Sequence, residues 1–171
     1  MMVSADGFTE GPHKELDYFT DDEELLAYFE NLVDASDFMI FGRKSYELLK
    51  EYWPTAPGAF AEKMNARPKL VFSRSPQKAE WNSRIENDIP GTITALKQQP
   101  GKDLVLFAGA ELVAAFREAG LVDEYRVMVY PVVLGGGTPF FQRIQSPAPL
   151  ELLGTRTFKK GNVLLRYRQA P

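Results

Sequence analysis

The sequence predicts an α/β fold, with a mostly parallel, helix-covered sheet and an antiparallel edge. Uninterrupted apolar runs occur at Phe38-Met39-Ile40-Phe41, Leu70-Val71-Phe72 and Leu104-Val105-Leu106-Phe107. They are too short for helices and lack polar alternation, as strands buried on both faces do. Segments with helical spacing separate these runs. Beyond Asp123 that spacing stops and strand-like segments follow one another, which implies a terminal antiparallel hairpin.

Taken in order, Val3 to Phe8 predicts the first strand, and Thr9 to Phe19 a long polar loop. Thr20-Asp21-Asp22-Glu23 reads as a capping box ahead of Leu25, Phe29, Leu32 and Val33, which recur at helical spacing. The Phe38 run ends sharply at Gly42. A helix is expected from about Lys44 to Trp53, with Tyr46, Leu49, Tyr52 and Trp53 on one side and Pro54 stopping it. After the Leu70 strand comes a weaker one around Arg84 to Glu86. Ile89, Ile93 and Leu96 then mark a helix closed by Pro100-Gly101. The Leu104 strand leads through Ala108-Gly109-Ala110 into a helix carrying Leu112, Ala115, Phe116 and Ala119, with Gly120 as its cap. Tyr125 to Leu134, Leu150 to Phe158 and Val163 to Arg168 read as strands, and Lys160-Gly161-Asn162 turns the last hairpin.

At 171 residues the chain fits one domain spanning 1–171. Twenty Lys and Arg against 23 Asp and Glu give a net charge of −3. That balance disfavours nucleic-acid binding, which draws on clustered positive charge. With no cysteine, disulfides, thiolate nucleophiles and Cys-based metal sites are excluded, and a single histidine, His13, builds no multi-His site. No metal is expected. No signal-peptide pattern and no long apolar stretch occurs, so the expectation is a cytoplasmic protein without a membrane partner.

In open α/β sheets ligands bind outside the carboxyl ends of the strands, which selects the loops to read for chemistry. Phe41-Gly42-Arg43-Lys44-Ser45 delivers a glycine, two cations and a hydroxyl to a helix start, a composition suited to phosphate. A glycine turn with solvated basic residues accounts for the same run. Phe107-Ala108-Gly109-Ala110-Glu111-Leu112 lets backbone N–H groups approach a bulky ligand such as a pyrophosphate, or serves close strand–helix packing. Ser73-Arg74-Ser75 places one cation between two hydroxyls. Three such ends on one sheet favour a dinucleotide. Asp6, after the first strand, and Asp17, in the long loop, are candidates to hold a substrate amine or ring N–H, against the simpler reading of turn aspartates. Trp53, Trp81 and Phe140-Phe141 read as core. Gly135-Gly136-Gly137 forms either a ligand-adjacent loop or a bulge and turn.

Ser4-Ala5-Asp6-Gly7-Phe8, Leu16-Asp17-Tyr18, the Phe41 to Glu47 run, Phe72-Ser73-Arg74, Ala108 to Leu112, Gly120 to Glu124 and Pro131 to Phe141, in this order, resemble the dihydrofolate reductase-like family. The likeness is nearest to the RibD C-terminal reductase domain of bifunctional riboflavin-biosynthesis proteins and its stand-alone relatives. The resemblance implies a three-layer sandwich around a central, mostly parallel eight-stranded sheet. It implies an NADPH-dependent oxidoreductase that transfers a hydride to a small heterocyclic or sugar-derived substrate, most like 5-amino-6-(5-phosphoribosylamino)uracil reductase. By that analogy Gly42, Arg43, Lys44 and Ser45, with Ser73 and Arg74, hold the adenosine 2′-phosphate region. Gly109, Ala110 and Leu112 contact the pyrophosphate, Phe107 and Glu111 belong to the same cofactor site, and Ser4 and Ala5 line the nicotinamide. Asp6 and Asp17 are the catalytic carboxylates and, with Tyr130, face the substrate.

Several features depart from the family pattern. The first strand is short, and the deaminase zinc signature is absent. Asp21, Asp22, Glu23 and Glu24 occupy the region of the dihydrofolate reductase acid, yet capping explains them. Alternative readings are a catalytically silent ligand-binding or regulatory protein on the same fold, and a dihydrofolate reductase. Self-association as a homodimer is expected, with the apolar strand Tyr125 to Leu134 as the interface.

Overall fold

The structure is a computed structural model and describes residues 1–19, 23–75 and 78–170. Thr20, Asp21 and Asp22 of the expected capping box lie outside the described residues. The elements run β1 (Met2–Ser4), β2 (Phe8–Glu10), α1 (Glu23–Asp34), β3 (Ser36–Gly42), α2 (Arg43–Tyr52), a 3-10 turn (Trp53–Thr55), α3 (Ala59–Ala66), β4 (Lys69–Phe72), β5 (Ser83–Glu86) and α4 (Ile89–Lys97). They continue with β6 (Asp103–Leu106), α5 (Ala110–Glu118), β7 (Tyr125–Tyr130), β8 (Thr138–Pro139), β9 (Leu150–Thr157) and β10 (Val163–Gln169). Two compact units result, one of residues 1–25 with 114–171 and one of residues 26–113.

The unit of residues 26–113 holds a parallel four-stranded sheet in the order β5-β4-β3-β6. Met39, Ile40, Phe41, Leu70 and Val71 are all buried, as the uninterrupted apolar runs require of strands covered on both faces. Each contributes roughly 1.5–3 kcal/mol by leaving water. Val33, Met39, Phe41, Tyr46, Met64 and Val71 form one cluster, and Trp53 and Trp81 pack against it, consistent with their reading as core. α4 begins where Asp88 accepts the Gly91 N–H at 3.0 Å and proline follows at the first turn. α3 was not legible. Its N-terminal flank is Gly58 at φ +99° with no side-chain cap, so the usual start signal is missing.

β4 opens on a buried lysine. The Lys69 ammonium donates to the Asn65 carbonyl oxygen at 3.1 Å and lies 4.2 Å from the centre of the Trp81 ring. Asn65 accepts the Trp81 indole N–H at 2.6 Å. Burial pulls the Lys69 ammonium down to about 8, because the charged form is poorly solvated there.

The unit of residues 1–25 and 114–171 holds a mixed four-stranded sheet, β1-β7-β10-β9, and a two-stranded ribbon, β2-β8. β1 pairs β7 in parallel, while β10 runs antiparallel to both β7 and β9. The expected single eight-stranded, mostly parallel sheet is therefore corrected to two four-stranded sheets and a ribbon. The physical reason is the loss of helical crossovers after α5. Strands joined by turns return antiparallel, whereas parallel neighbours need long connections. The terminal hairpin turns as expected, with Gly161 at φ +89° and the Phe158 N–H donating to the Asn162 carbonyl at 2.8 Å.

Two expected strands are shorter than the sequence implied. Val3 to Phe8 breaks at Ser4, because Gly7 takes φ +86° and its N–H closes a turn onto the Ser4 carbonyl at 2.9 Å. Tyr125 to Leu134 ends at Tyr130, before Pro131, which has no N–H for a ladder. β7 is also an interior strand, flanked by β1 and β10, with Tyr125, Val127, Met128 and Tyr130 buried. Of the segment expected to supply an interface, these four side chains are buried within the chain, while Val133 is exposed.

Among the described residues no helix is long and apolar enough to cross a membrane, and no group of three metal-ligating side chains occurs.

Candidate functional site

Three of the phosphate-type segments lie in the unit of residues 26–113, on one edge of its sheet. β4, β3 and β6 are adjacent and parallel, with Gly42 level with Phe72 and Ile40 level with Leu106, so their carboxyl ends emerge side by side. The Phe107 N–H donates to the Ile40 carbonyl at 2.9 Å, and the Phe107 ring stacks on Phe41 at 6.1 Å. This fixes the turn into α5 against the end of β3.

Gly42 flanks α2 in an extended conformation, φ −82° and ψ 159°, and no side chain caps the helix. No acidic residue stands in the first turn either. The first N–H groups of α2 and its partial positive charge therefore stay available to an anion. Gly109 is exposed at the start of α5, where its carbonyl accepts the Leu112 N–H at 3.1 Å. A Cβ on Gly109 would stand 3.9 Å from the Ser45 hydroxyl, and one on Gly42 would stand 3.7 Å from Leu112. The Gly42–Ser45 and Gly109–Leu112 segments thus line one place rather than two.

The cations differ in their engagement. Arg43 makes an i,i+4 ion pair with Glu47 at 3.1 Å, and both side chains stay about 40% exposed. Sequence reading missed Glu47, although the four-residue spacing was visible. Lys44 is exposed. Arg74 is exposed and takes no ion-pair partner among the described residues. Ser73 is committed, donating from its hydroxyl to the Ser75 carbonyl at 2.8 Å, while its N–H donates to the Glu86 carbonyl at 3.0 Å. Ala110 is buried and Glu111 exposed. A carboxylate in the first turn of α5 repels a phosphate, so Glu111 suits a hydroxyl better.

Ser4, Ala5, Asp6, Asp17 and Tyr130 belong to the other unit. Ser4 is buried, and its hydroxyl oxygen accepts the Phe8 N–H at 2.9 Å. The Ala5 N–H donates to the Val132 carbonyl at 2.7 Å. Asp6 accepts two backbone N–H groups of the glycine run, from Leu134 at 3.1 Å and from Gly135 at 2.7 Å. The Ser4 hydroxyl and these N–H groups hold the Asp6 carboxyl down at about 2, so it is ionised across the physiological range. Asp17 is exposed in the loop after β2. The Tyr130 hydroxyl donates to the Met2 thioether at 3.3 Å, and its ring meets Phe19 edge-on at 4.9 Å. Tyr130 is only 2% exposed.

The glycine run is braced on its other side too. Gly137 takes φ +127°, and a Cβ there would collide with the Glu10 carbonyl oxygen. The Thr138 hydroxyl donates to the Glu10 carboxylate at 2.6 Å. Of the two readings left open for this run, the turn against β2 is the one the hydrogen bonds describe.

A family model described as the RibD C-terminal domain matches residues 1–164. The chain belongs to that family. The uncharacterized protein YyaP of Bacillus subtilis (strain 168) is 35% identical over 98% of this chain and 91% of its own length. Among solved structures, a candidate riboflavin biosynthesis protein from Shewanella sp. PV-4 superposes with a TM-score of 0.82 at 17% identity, covering 100% of this chain and 97% of that one. Dihydrofolate reductase from Enterococcus faecalis, complexed with NADP(H), reaches 0.68 at 14% identity, over 99% of this chain and 94% of that one. At such identities the likeness concerns the α/β fold. The RibD C-terminal domain family, in turn, is what the ordered motifs implied.

Proposed function

We propose that this RibD C-terminal domain protein is an NADPH-dependent oxidoreductase acting on a small heterocyclic or sugar-derived substrate, closest in type to the ribosylaminopyrimidine reduction of riboflavin biosynthesis. The observation that carries the proposal is the shared edge of β4, β3 and β6, where an uncapped helix start, two small-residue turns and the cations Arg43, Lys44 and Arg74 lie together.

The residues present fit a phosphorylated dinucleotide. Gly42 and Gly109 carry no side chain where a pyrophosphate needs to approach backbone N–H groups, and among the described residues no side chain caps the start of α2. Arg74 and Arg43 supply guanidinium forks for a 2′-phosphate, Arg43 by exchanging Glu47 for the ligand. Gly109, Ala110 and Leu112 offer the pyrophosphate contacts, and Glu111 a hydroxyl contact. When bound, the reduced nicotinamide supplies the hydride. On the substrate side, Asp17 is the carboxylate free to bind an amine or ring N–H. Asp6 is a positioning residue that holds the Leu134–Gly135 turn, and Tyr130 sets the place of Phe19 and Met2. Ser4 and Ala5 contribute a fixed backbone corner for the nicotinamide.

Calorimetry with NADPH and NADH tests the reading. The wild type is expected to prefer NADPH, and Arg43→Ala with Arg74→Ala to lower that preference by about 10- to 100-fold, the value of one or two charge-assisted contacts. An unchanged ratio would reject the assignment. NADPH binding without absorbance loss against pyrimidine, pterin and carbonyl acceptors would favour a silent binder on the same fold.

A further inference from the structure

We infer that Glu47 is a cofactor-selectivity residue: its carboxylate occupies the Arg43 guanidinium as an internal competitor of the ligand's 2′-phosphate, and so limits how far NADPH is favoured over NADH. The inference rests on the proposed cofactor. It adds a residue that works against that ligand rather than for it.

The Arg43–Glu47 pair is poorly placed for a purely structural role. Arg43 is the first residue of α2, so its cation stands at the positive end of the helix, where the dipole opposes it. A base four residues before an acid is also the weaker order for helix stability. The contact itself is made by one nitrogen. Arg43 Nη1 donates to both Glu47 carboxylate oxygens, at 3.2 and 3.1 Å, and the guanidinium makes no other hydrogen bond among the described residues. A forked pair uses two nitrogens. Nε and Nη2 are thus left for a phosphate while Glu47 holds the side chain.

Releasing Arg43 does not strand the carboxylate. Lys50 lies three residues beyond Glu47 on the same helix face, held above its ordinary range by its hydrogen bond to Glu80 and, in lesser part, by the Glu47 charge. Glu80 in turn meets Lys78 at 2.7 Å. The signs therefore alternate from Arg43 through Glu47, Lys50 and Glu80 to Lys78. A phosphate arriving at Arg43 adds one more anion at the end of this series, and Glu47 turns towards Lys50. Arg74 differs, since it is exposed and has no such carboxylate among the described residues. NADH carries a hydroxyl where NADPH carries the phosphate, so it neither displaces Glu47 nor is repelled by it.

Calorimetry on the full chain with NADPH and NADH tests this. Glu47→Gln, which keeps the length and helix preference of the side chain, is expected to tighten NADPH binding about three- to tenfold by freeing a solvent-screened guanidinium and removing a carboxylate beside a phosphate. NADH affinity should stay within about twofold. With Arg43→Ala already in place, Glu47→Gln should tighten NADPH by at most about twofold, because most of its effect passes through the arginine. Circular dichroism confirms that each variant is folded. A residue that only steadied α2 would weaken both nucleotides when altered. NADPH affinity unchanged or lowered in Glu47→Gln, an equal gain for NADH, or a full gain without Arg43 would each overturn the inference while leaving the cofactor itself standing. A wild type that binds neither nucleotide would reject the cofactor, and this inference with it.

Discussion

Each unit ends its strands in glycine-bearing turns with charged residues nearby, yet the two use those residues in opposite ways. In the unit of residues 1–25 and 114–171, the carboxylate of Asp6, the hydroxyl of Ser4 and the glycines of the 134–137 turn satisfy one another. In the unit of residues 26–113, α2 starts uncapped, Gly42 and Gly109 leave space rather than fill it, and Arg74 is exposed. One region has spent its donors on folding. The other leaves a helix start without a side-chain cap. An Asp-Gly pair or a glycine run identifies a place where backbone is held tightly, and whether it also holds a ligand depends on which donors remain unsatisfied.

The comparison is broken most sharply at its glycines. Gly137→Ala drives a Cβ into the Glu10 carbonyl at φ +127° and is expected to cost about 3 kcal/mol or more, measured by urea denaturation. Gly42→Ala lies at the other extreme. Its Cβ meets only Leu112 at ordinary contact distance and its φ of −82° suits any residue, so the stability change should stay within about 0.5 kcal/mol. The same substitution should instead weaken NADPH binding, which calorimetry would register.

Between those extremes falls Lys69. Its ammonium, at about 8 in the folded chain against 10.5 when free, binds fewer protons than in the unfolded chain between those values. Stability should therefore rise as pH climbs from about 8 to 10.5, by roughly 1–3 kcal/mol, and stay constant in this respect below 8. Lys69→Met should flatten that rise in denaturation curves taken across the interval. A rise that persists in the variant would assign the effect to another group.

A smaller effect is expected from Asp6→Asn, which keeps the shape but removes the charge that two N–H groups address. Hydrogen exchange at Leu134 and Gly135 should accelerate about tenfold, with exchange along β3 and β4 unchanged. Because the Asp6 carboxyl is held at about 2, wild-type protection at those two amides should survive down to pH near 4 and fade only as pH falls through about 2.

β3 and β4 were legible because strands covered on both faces are apolar in consecutive residues, as Met39 to Phe41 and Leu70 to Phe72 are, whereas the Leu104 run forms β6 at the end of its sheet and is only half-buried. α2, α4 and α5 were legible through spacing and their glycine or proline boundaries. The Gly42–Ser45, Ser73–Arg74 and Gly109–Leu112 segments were legible as strand ends, a local property. α3 was not, since Gly58 gives its start no capping side chain. Nor was the buried Lys69, because nothing adjacent to it announces that Asn65 and Trp81 will meet it.

By itself, then, the chain's order of apolar runs, helical spacings and turn residues determined the α/β class, the strands of the two four-stranded sheets and the loops that belong at carboxyl ends, but not the β2-β8 ribbon, whose segments read as loop. Only the tertiary structure decided which polar groups would be consumed. Asp6 lies 128 residues before Leu134, and Glu10 lies 128 before Thr138, so their hydrogen bonds depend on pairings that no local pattern encodes. Whether a donor is spent or kept is a property of three-dimensional neighbours, because a hydrogen bond forms within about 3 Å regardless of separation along the chain.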